Sequence, residues 1–324
     1  MKSNQTTQKT DYHDLRIIFM GTPEFAVASL NALVLAGCNV VAVVTAPDKP
    51  AGRGMQLQEP AVKKYAKSKD IPVLQPEKLR SPEFIDNLRQ LKADLQVVVA
   101  FRMLPEIVWN MAPMGTVNVH GSLLPQYRGA APINWAIING EKITGITTFK
   151  LKHEIDTGNI LLQEKLAINE DDNAGTVHDR MKELGARLLV ETVIGLASGE
   201  LKEKPQPDQT GEDISLHHAP RIFTETCRIN WKQSIENCHN LIRGLSPYPG
   251  AFTELEGKTL KIFAATKEFT HPLGLPGSFE TDRKTYLKFA ATDGYLHLTD
   301  LQLQGKKRLP IGDFLRGYRF SDNV

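Results

Sequence analysis

The chain has 324 residues, 41% of them hydrophobic, and a formal net charge of +2. That length and apolar content support one large core or two ordinary ones, and they exclude a disordered or strongly basic polymer. No apolar run is long enough to span a bilayer. Met1 to Asp14 is polar with no apolar centre, so no secretory signal is expected. The charge is uneven: from Arg221 onward 15 Lys and Arg face 11 Asp and Glu, whereas 24 face 26 before it. A basic second part suggests a polyanionic partner, and an ordinary solvated surface is the competing reading. The three cysteines, Cys38, Cys227 and Cys238, form no C-x-x-C pair and no zinc spacing. They are expected to be reduced structural thiols in a cytoplasmic protein.

In chain order, Leu15–Met20 predicts a buried strand. Gly21-Thr22-Pro23 breaks it, a helix follows from Glu24 to a C-cap at Gly37, and Val40–Val44 is a second strand. This reads as β-α-β without a Gly-x-Gly-x-x-Gly turn, so a dinucleotide is not supported. Residues 47–54 carry two prolines, two glycines and three charges, which predicts an exposed, mobile loop. Its Lys49 and Arg53 would suit phosphate or plain solvent equally. A helix over Ala61–Lys69, a strand over Ile71–Leu74 and a helix over Pro82–Leu91 come next. Leu95–Phe101 is apolar except for Gln96, as in a parallel strand covered on both faces. The alternation predicts a doubly wound, mostly parallel α/β sheet, a Rossmann variant with its site at the carboxyl ends of the strands.

Thr116–His120 alternates polar and apolar residues. As a strand it places Val117 and Val119 on one face and Asn118 and His120 on the other. Gly121 and Pro125 then open a loop. An amide beside an imidazole at a strand end suits the stabilisation of an oxyanion, although each residue alone would more simply be a satisfied polar group. Asp156, in the turn His153–Gly158, is the best carboxylate to favour a charged histidine. A Ser-His-Asp hydrolase using Ser122 is the weaker reading, because the Gly-x-Ser-x-Gly elbow is missing.

A helix to about Asn139, strands over Thr144–Lys150 and Ile160–Ile168, and a helix capped by Thr176 complete the first part. That helix carries its apolar stripe on Val177, Met181, Leu184 and Leu188. Lys202–Gly211 is polar with two prolines and reads as the start of a linker. Beyond Arg221, a helix over Ser234–Leu245 and short strands over Ala251–Leu255, Lys258–Ala265, Leu287–Ala291 and Tyr295–Leu303 predict a smaller, OB-like β-barrel. Such barrels often bind nucleic acid, and Lys306, Lys307 and Arg308 supply charge near its end. The expected division is a tail over 1–14, a catalytic domain over 15–201, a linker over 202–220 and a barrel domain over 221–324.

Five segments occur in a telling order: Phe19-Met20-Gly21-Thr22-Pro23-Glu24-Phe25, the loop over 47–54, Asn118-Val119-His120-Gly121-Ser122-Leu123-Leu124-Pro125, Arg128-Gly129-Ala130-Ala131-Pro132, and Ile155-Asp156-Thr157-Gly158-Asn159-Ile160. Together they resemble the methionyl-tRNA formyltransferases, from about Leu15 to near the end of the chain. The resemblance implies formyl transfer from 10-formyltetrahydrofolate to the α-amine of methionyl initiator tRNA, by a monomer that needs no metal and no membrane. It implies catalytic roles for Asn118, His120 and Asp156, and folate contacts from Ser122, Leu123, Leu124 and Pro125. It also implies tRNA contacts from Lys49, Arg53, Lys306, Lys307 and Arg308. Two positions depart from the pattern: Phe101-Arg102 stands where Tyr-Gly is common, and Gln126 where a basic residue is. The rival functions are a formyltransferase for a small amine, such as glycinamide ribonucleotide or an amino sugar nucleotide, and a non-catalytic RNA-binding protein.

Overall fold

A computed structural model describes residues 10–51, 56–206 and 216–321. The chain divides into two compact units. One takes the residues up to Arg128, Gly145–Leu166 and His178–His217; the other takes Gly129–Thr144, Ala167–Val177 and the residues from His218 on.

The first unit begins with β1 (Ile17–Gly21), α1 (Glu24–Leu35), β2 (Val40–Val44), β3 (Lys49–Ala51), β4 (Gln56–Gln58), α2 (Ala61–Ser68), β5 (Val73–Leu74), α3 (Pro82–Gln90), β6 (Leu95–Val99), α4 (Glu106–Trp109) and β7 (Thr116–His120). Beyond β7 come β8 (Arg128–Gly129) at the boundary of the units, α5 (Pro132–Ile138) of the second unit, β9 (Ile143–Lys150), β10 (Ile160–Ala167) and α6 (Ala174–Ala197), which lie mostly in the first, and β11 (His218–Ala219) of the second. The main sheet has the order β10-β9-β7-β6-β1-β2-β5. Its five strands from β7 to β5 are parallel, and β9 joins β7 antiparallel. β1 and β6 are buried along their whole length, as strands covered on both faces must be. The polar break in β6 is satisfied internally: the buried Gln96 accepts a 2.9 Å hydrogen bond from Thr116 Oγ1.

α1 ends as its sequence requires. Gly37 adopts φ +75°, its N–H bonds Val34 O, and Cys38 N–H bonds Leu33 O, which is a Schellman closure. The cap of α6 differs from expectation. Asn173, not Thr176, is the N-cap: Thr176 N–H donates to Asn173 Oδ1 at 3.0 Å, and Asn173 N–H donates back to Thr176 Oγ1 at 3.0 Å. The two therefore form a reciprocal capping box, with Thr176 at its third helical position.

The expected loop over residues 47–54 is corrected in part. β3 and β4 form an antiparallel hairpin, with Lys49 opposite Gln58. Its base is held by charge. Asp48 accepts from Lys63 Nζ at 2.6 Å and from Gln75 Nε2 at 2.7 Å, and the Lys63 ammonium also meets Glu59 at 3.1 Å. Arg53 lies outside the described residues.

The second unit adds α7 (Ile235–Gly244), β12 (Ala251–Leu255), β13 (Lys258–Glu268), β14 (Phe279–Thr281), β15 (Leu287–Ala290), β16 (Tyr295–Leu303), β17 (Leu309–Pro310) and α8 (Ile311–Gly317). Ser234 caps α7, accepting from Asn237 N–H. The strands form one antiparallel sheet in the order β12-β13-β16-β15-β14, with β17 on β16. β12 and β14 are left as edges, so the expected barrel is an open half-barrel. The core between α7 and the sheet includes Ile235, Cys238, Ile242, Leu260, Phe289 and Leu301. Trp231 stacks on Phe289 at 5.0 Å and 9°. Burial pushes the Cys238 thiol up to about 12, as expected of an inert core cysteine. Among the described residues no helix is long and apolar enough to cross a membrane.

Candidate active site

The order in which strands are added reverses between β1, from which the chain proceeds outward to β2 and β5, and β6, from which it proceeds to β7. In doubly wound sheets ligands bind beyond the carboxyl ends of strands at such a switch point. β7 delivers its last residues there. Asn118 sits opposite Val98 of β6 and Phe149 of β9, and His120 follows two residues later on the same face.

The His120 ring is 7% exposed. Its Nε2 lies 2.9 Å from Tyr127 O. A carbonyl oxygen only accepts, so Nε2 carries the hydrogen and donates. Nδ1 faces Asp156 Oδ2 at 3.8 Å, with side-chain exposures of 7% and 11%. That separation exceeds a hydrogen bond, leaving Nδ1 to act as an acceptor when the ring is neutral and as a second donor when it is protonated. Phe149 meets the ring edge-on at 6.3 Å, fixing its plane. Among the described residues the half-buried Asn118 carboxamide takes no protein hydrogen bond, so its N–H groups remain available to a ligand.

Asp156 is placed by a left-handed turn. Its φ is +55°, a left-handed conformation that L-residues other than Asn and Asp seldom adopt. Two residues on, an added Cβ at Gly158 would stand 1.6 Å from Lys150 O. Only glycine lets this turn fold back onto β9, where Lys150 N–H bonds Asn159 O at 3.0 Å.

The loop after His120 is tightly built. Ser122 is fully buried; its hydroxyl donates to Gln126 O at 2.6 Å and its carbonyl accepts from Thr147 Oγ1 at 2.6 Å. The Ser122 hydroxyl is thus occupied in the turn, away from any role as nucleophile. Leu124 packs on Phe149 and Ile160, its N–H bonds Thr147 Oγ1, and its carbonyl accepts from Gln163 Nε2. Leu123 and Pro125 are the half-buried members of the segment. The charged candidates stand elsewhere. Lys49 is exposed on β3, and Lys306 and Lys307 are exposed in the turn from β16 to β17. Arg308 is engaged within its own unit: its guanidinium meets both Asp300 oxygens, with Nε at 2.9 and 3.0 Å, and lies 4.2 Å from the Phe263 ring.

Sequence reasoning missed two supports of the site, Tyr127 and Gln206. Gln206 falls in the stretch expected to start a linker. Its described part meets the first residue of β10, with Lys204 N–H bonding Ile160 O at 2.8 Å, and Gln206 is buried. A glutamine between two prolines gives no pattern from which such a contact could be read.

Comparisons with known proteins give the family. The model of the family described as "Formyl transferase" matches residues 15–193, and that of "Formyl transferase, C-terminal domain" matches residues 221–319. A methionyl-tRNA formyltransferase of Bacteroides fragilis is 54% identical over 317 residues, covering 95% of this chain and 97% of that protein. One of Parabacteroides distasonis is 55% identical over 315 residues, covering 94% and 96%. Among solved structures, an N-formyltransferase from Helicobacter canadensis in complex with folinic acid and dTDP-3-aminofucose superposes with a TM-score of 0.64 at 20% identity, covering 91% of this chain and all of that one. HypX from Aquifex aeolicus in complex with tetrahydrofolic acid superposes with a TM-score of 0.61 at 19% identity, covering 94% of this chain and 48% of that one. This chain therefore spans about half the length of HypX, and at these identities the two structures speak for the fold alone. On the family matches, which span most of its length, the chain belongs to the formyl transferase family.

Proposed function

We propose that the chain transfers a formyl group from 10-formyltetrahydrofolate to the α-amine of methionyl initiator tRNA, acting as a cytoplasmic monomer. The observation that carries the chemistry is the strand-end group: an unspent Asn118 amide beside a His120 ring whose Nδ1 faces Asp156. The methionine amine attacks the formyl carbon, giving a tetrahedral intermediate with one oxyanion. Asn118 and the protonated His120 donate to that oxygen. Asp156 steadies the imidazolium and relays the proton lost by the amine toward N10 of the folate as the N10–carbon bond breaks. The donor's ring system would lie along Leu123 and Pro125, with Ser122 and Leu124 holding that loop from beneath. The relatives named for methionyl-tRNA support the acceptor. Lys49, Arg53, Lys306 and Lys307 would meet tRNA phosphates, with Arg308 ordering their turn from its place against Asp300. Binding should weaken as salt rises.

A formylation assay tests this directly. With 10-formyltetrahydrofolate, charged initiator tRNA should be formylated at least about a hundredfold faster per mole than free methionine, because remote binding energy is realised only on the macromolecule. Equal rates, or a preference for an amino sugar nucleotide, would move the protein to the small-amine branch.

A further inference from the structure

Gln206 and His217 flank residues 207–215, which lie outside the described part of the chain. Both reach the catalytic pair from the same connecting segment. Gln206 is 9% exposed, and its Nε2 donates to two carbonyls of the Asp156 turn, Asp156 O at 2.8 Å and Gly158 O at 2.9 Å. Its Oε1 accepts from Arg128, with Nε at 3.1 Å and Nη2 closer. A guanidinium only donates and carbonyls only accept, so this amide has one permitted orientation. The two carbonyl contacts fix the turn in which Asp156 holds its left-handed backbone.

His217 acts on the other member. Its carbonyl accepts from Tyr127 N–H at 2.7 Å, its Nδ1 meets Tyr127 OH at 3.0 Å, and its N–H donates to Gln126 Oε1 at 2.9 Å. Tyr127 is buried with φ +58°, and its carbonyl accepts from His120 Nε2. His120 and Asp156 thus each depend on a left-handed, non-glycine residue, and each of those is pinned by one end of the connector.

We infer that Gln206 and His217 are positioning residues, Gln206 setting Asp156 and His217 setting His120 through Tyr127. The inference rests on the formyl-transfer reading. An assembled pair contributes to the transition state more than to substrate binding, so losing a clamp lowers kcat and leaves KM nearly unchanged. Gln206→Glu, which keeps size and the acceptor for Arg128 but removes both donors, should cut kcat about tenfold or more, with KM for folate and charged tRNA within about threefold. His217→Phe, which keeps a ring and the backbone bonds, should cut kcat by a smaller factor with the same split. Arg128→Lys, which breaks the fork and frees the amide, should reproduce the Gln206→Glu pattern if that variant folds poorly. Melting temperatures measured alongside identify a variant that fails to fold. A folded Gln206→Glu, or in its place Arg128→Lys, with kcat within about twofold of the parent, or with its loss in KM, overturns the clamp. An inactive parent chain would instead overturn the formyl-transfer reading.

Discussion

Two histidine–carboxylate contacts, one in each unit, differ in a way that bears on function. In the first unit His120 and Asp156 stand 3.8 Å apart, both nearly enclosed, with an unspent amide on the same strand face. In the second, His297 meets Glu268 in a shorter contact on the open face of the half-barrel, with exposures of 31% and 32%. That second pair is embedded in neighbours that answer every charge. Lys288 lies 3.2 Å from Glu268 and 3.4 Å from Glu280, its ammonium is 3.9 Å from the centre of the Tyr295 ring, and Tyr295 OH donates to Glu280. Distance alone would select His297. Unspent hydrogen-bonding capacity beside it at the strand end selects His120, because a group whose bonds are satisfied has nothing to offer a transition state.

The contrast can be broken at several points. His120→Ala should lower turnover by about a thousandfold or more while folate affinity, measured by equilibrium fluorescence, stays close to that of the parent; near-normal turnover would remove the ring from the mechanism. Asn118→Ala should cost roughly a hundredfold in kcat, the usual loss for one oxyanion donor, and a loss in KM alone would reduce it to a binding group. Lys306→Ala with Lys307→Ala should raise the tRNA KM several-fold and flatten its dependence on salt by about two phosphate contacts; an unchanged salt slope would take that turn off the tRNA path.

A pH effect on stability belongs to a third histidine. His239 is half-buried on α7, with Nε2 3.1 Å from Ala265 O and a buried Nδ1 without a partner among the described residues. Burial, then the neighbouring Lys267 and Arg243, hold its pKa below the ordinary 6.5. The unfolded chain therefore binds the extra proton first, and stability falls as pH drops below 6.5. The melting temperature should decline by a few degrees in that window, and His239→Gln should remove this part of the slope. The smallest effect is expected at the contrasting pair: His297→Gln should leave kcat within about twofold, since its neighbours make it a surface network.

The strand that carries Asn118 and His120 was legible because the alternation over Thr116–His120 has the period of a strand and sets both polar side chains on one face. Asp156 was legible less directly, through a turn glycine whose necessity is visible once Lys150 O is seen against it. Other features depend on partners that the local sequence does not mark. Nothing near Gln206 announces that it faces residues some fifty positions earlier. Nothing near Arg308 shows that Asp300 neutralises it across a strand pair. The α6 cap failed for a local reason: Asn173 and Thr176 are both capping residues, and the sequence does not say which one stands outside the first turn. The strand pairing at Lys49 was hidden by Pro47 and Pro50, which suit a loop as well as an edge strand.

The central claim is that the strand end stabilises charge on a formyl group passing directly between substrates, with Ser122 locked in its turn. Rapid-quench single turnover with formyl-labelled 10-formyltetrahydrofolate and charged initiator tRNA addresses it most directly. Direct transfer predicts that label leaves the folate and enters the tRNA at one rate, with none bound to protein at any time. A formyl-protein species that forms first and decays into product would contradict it.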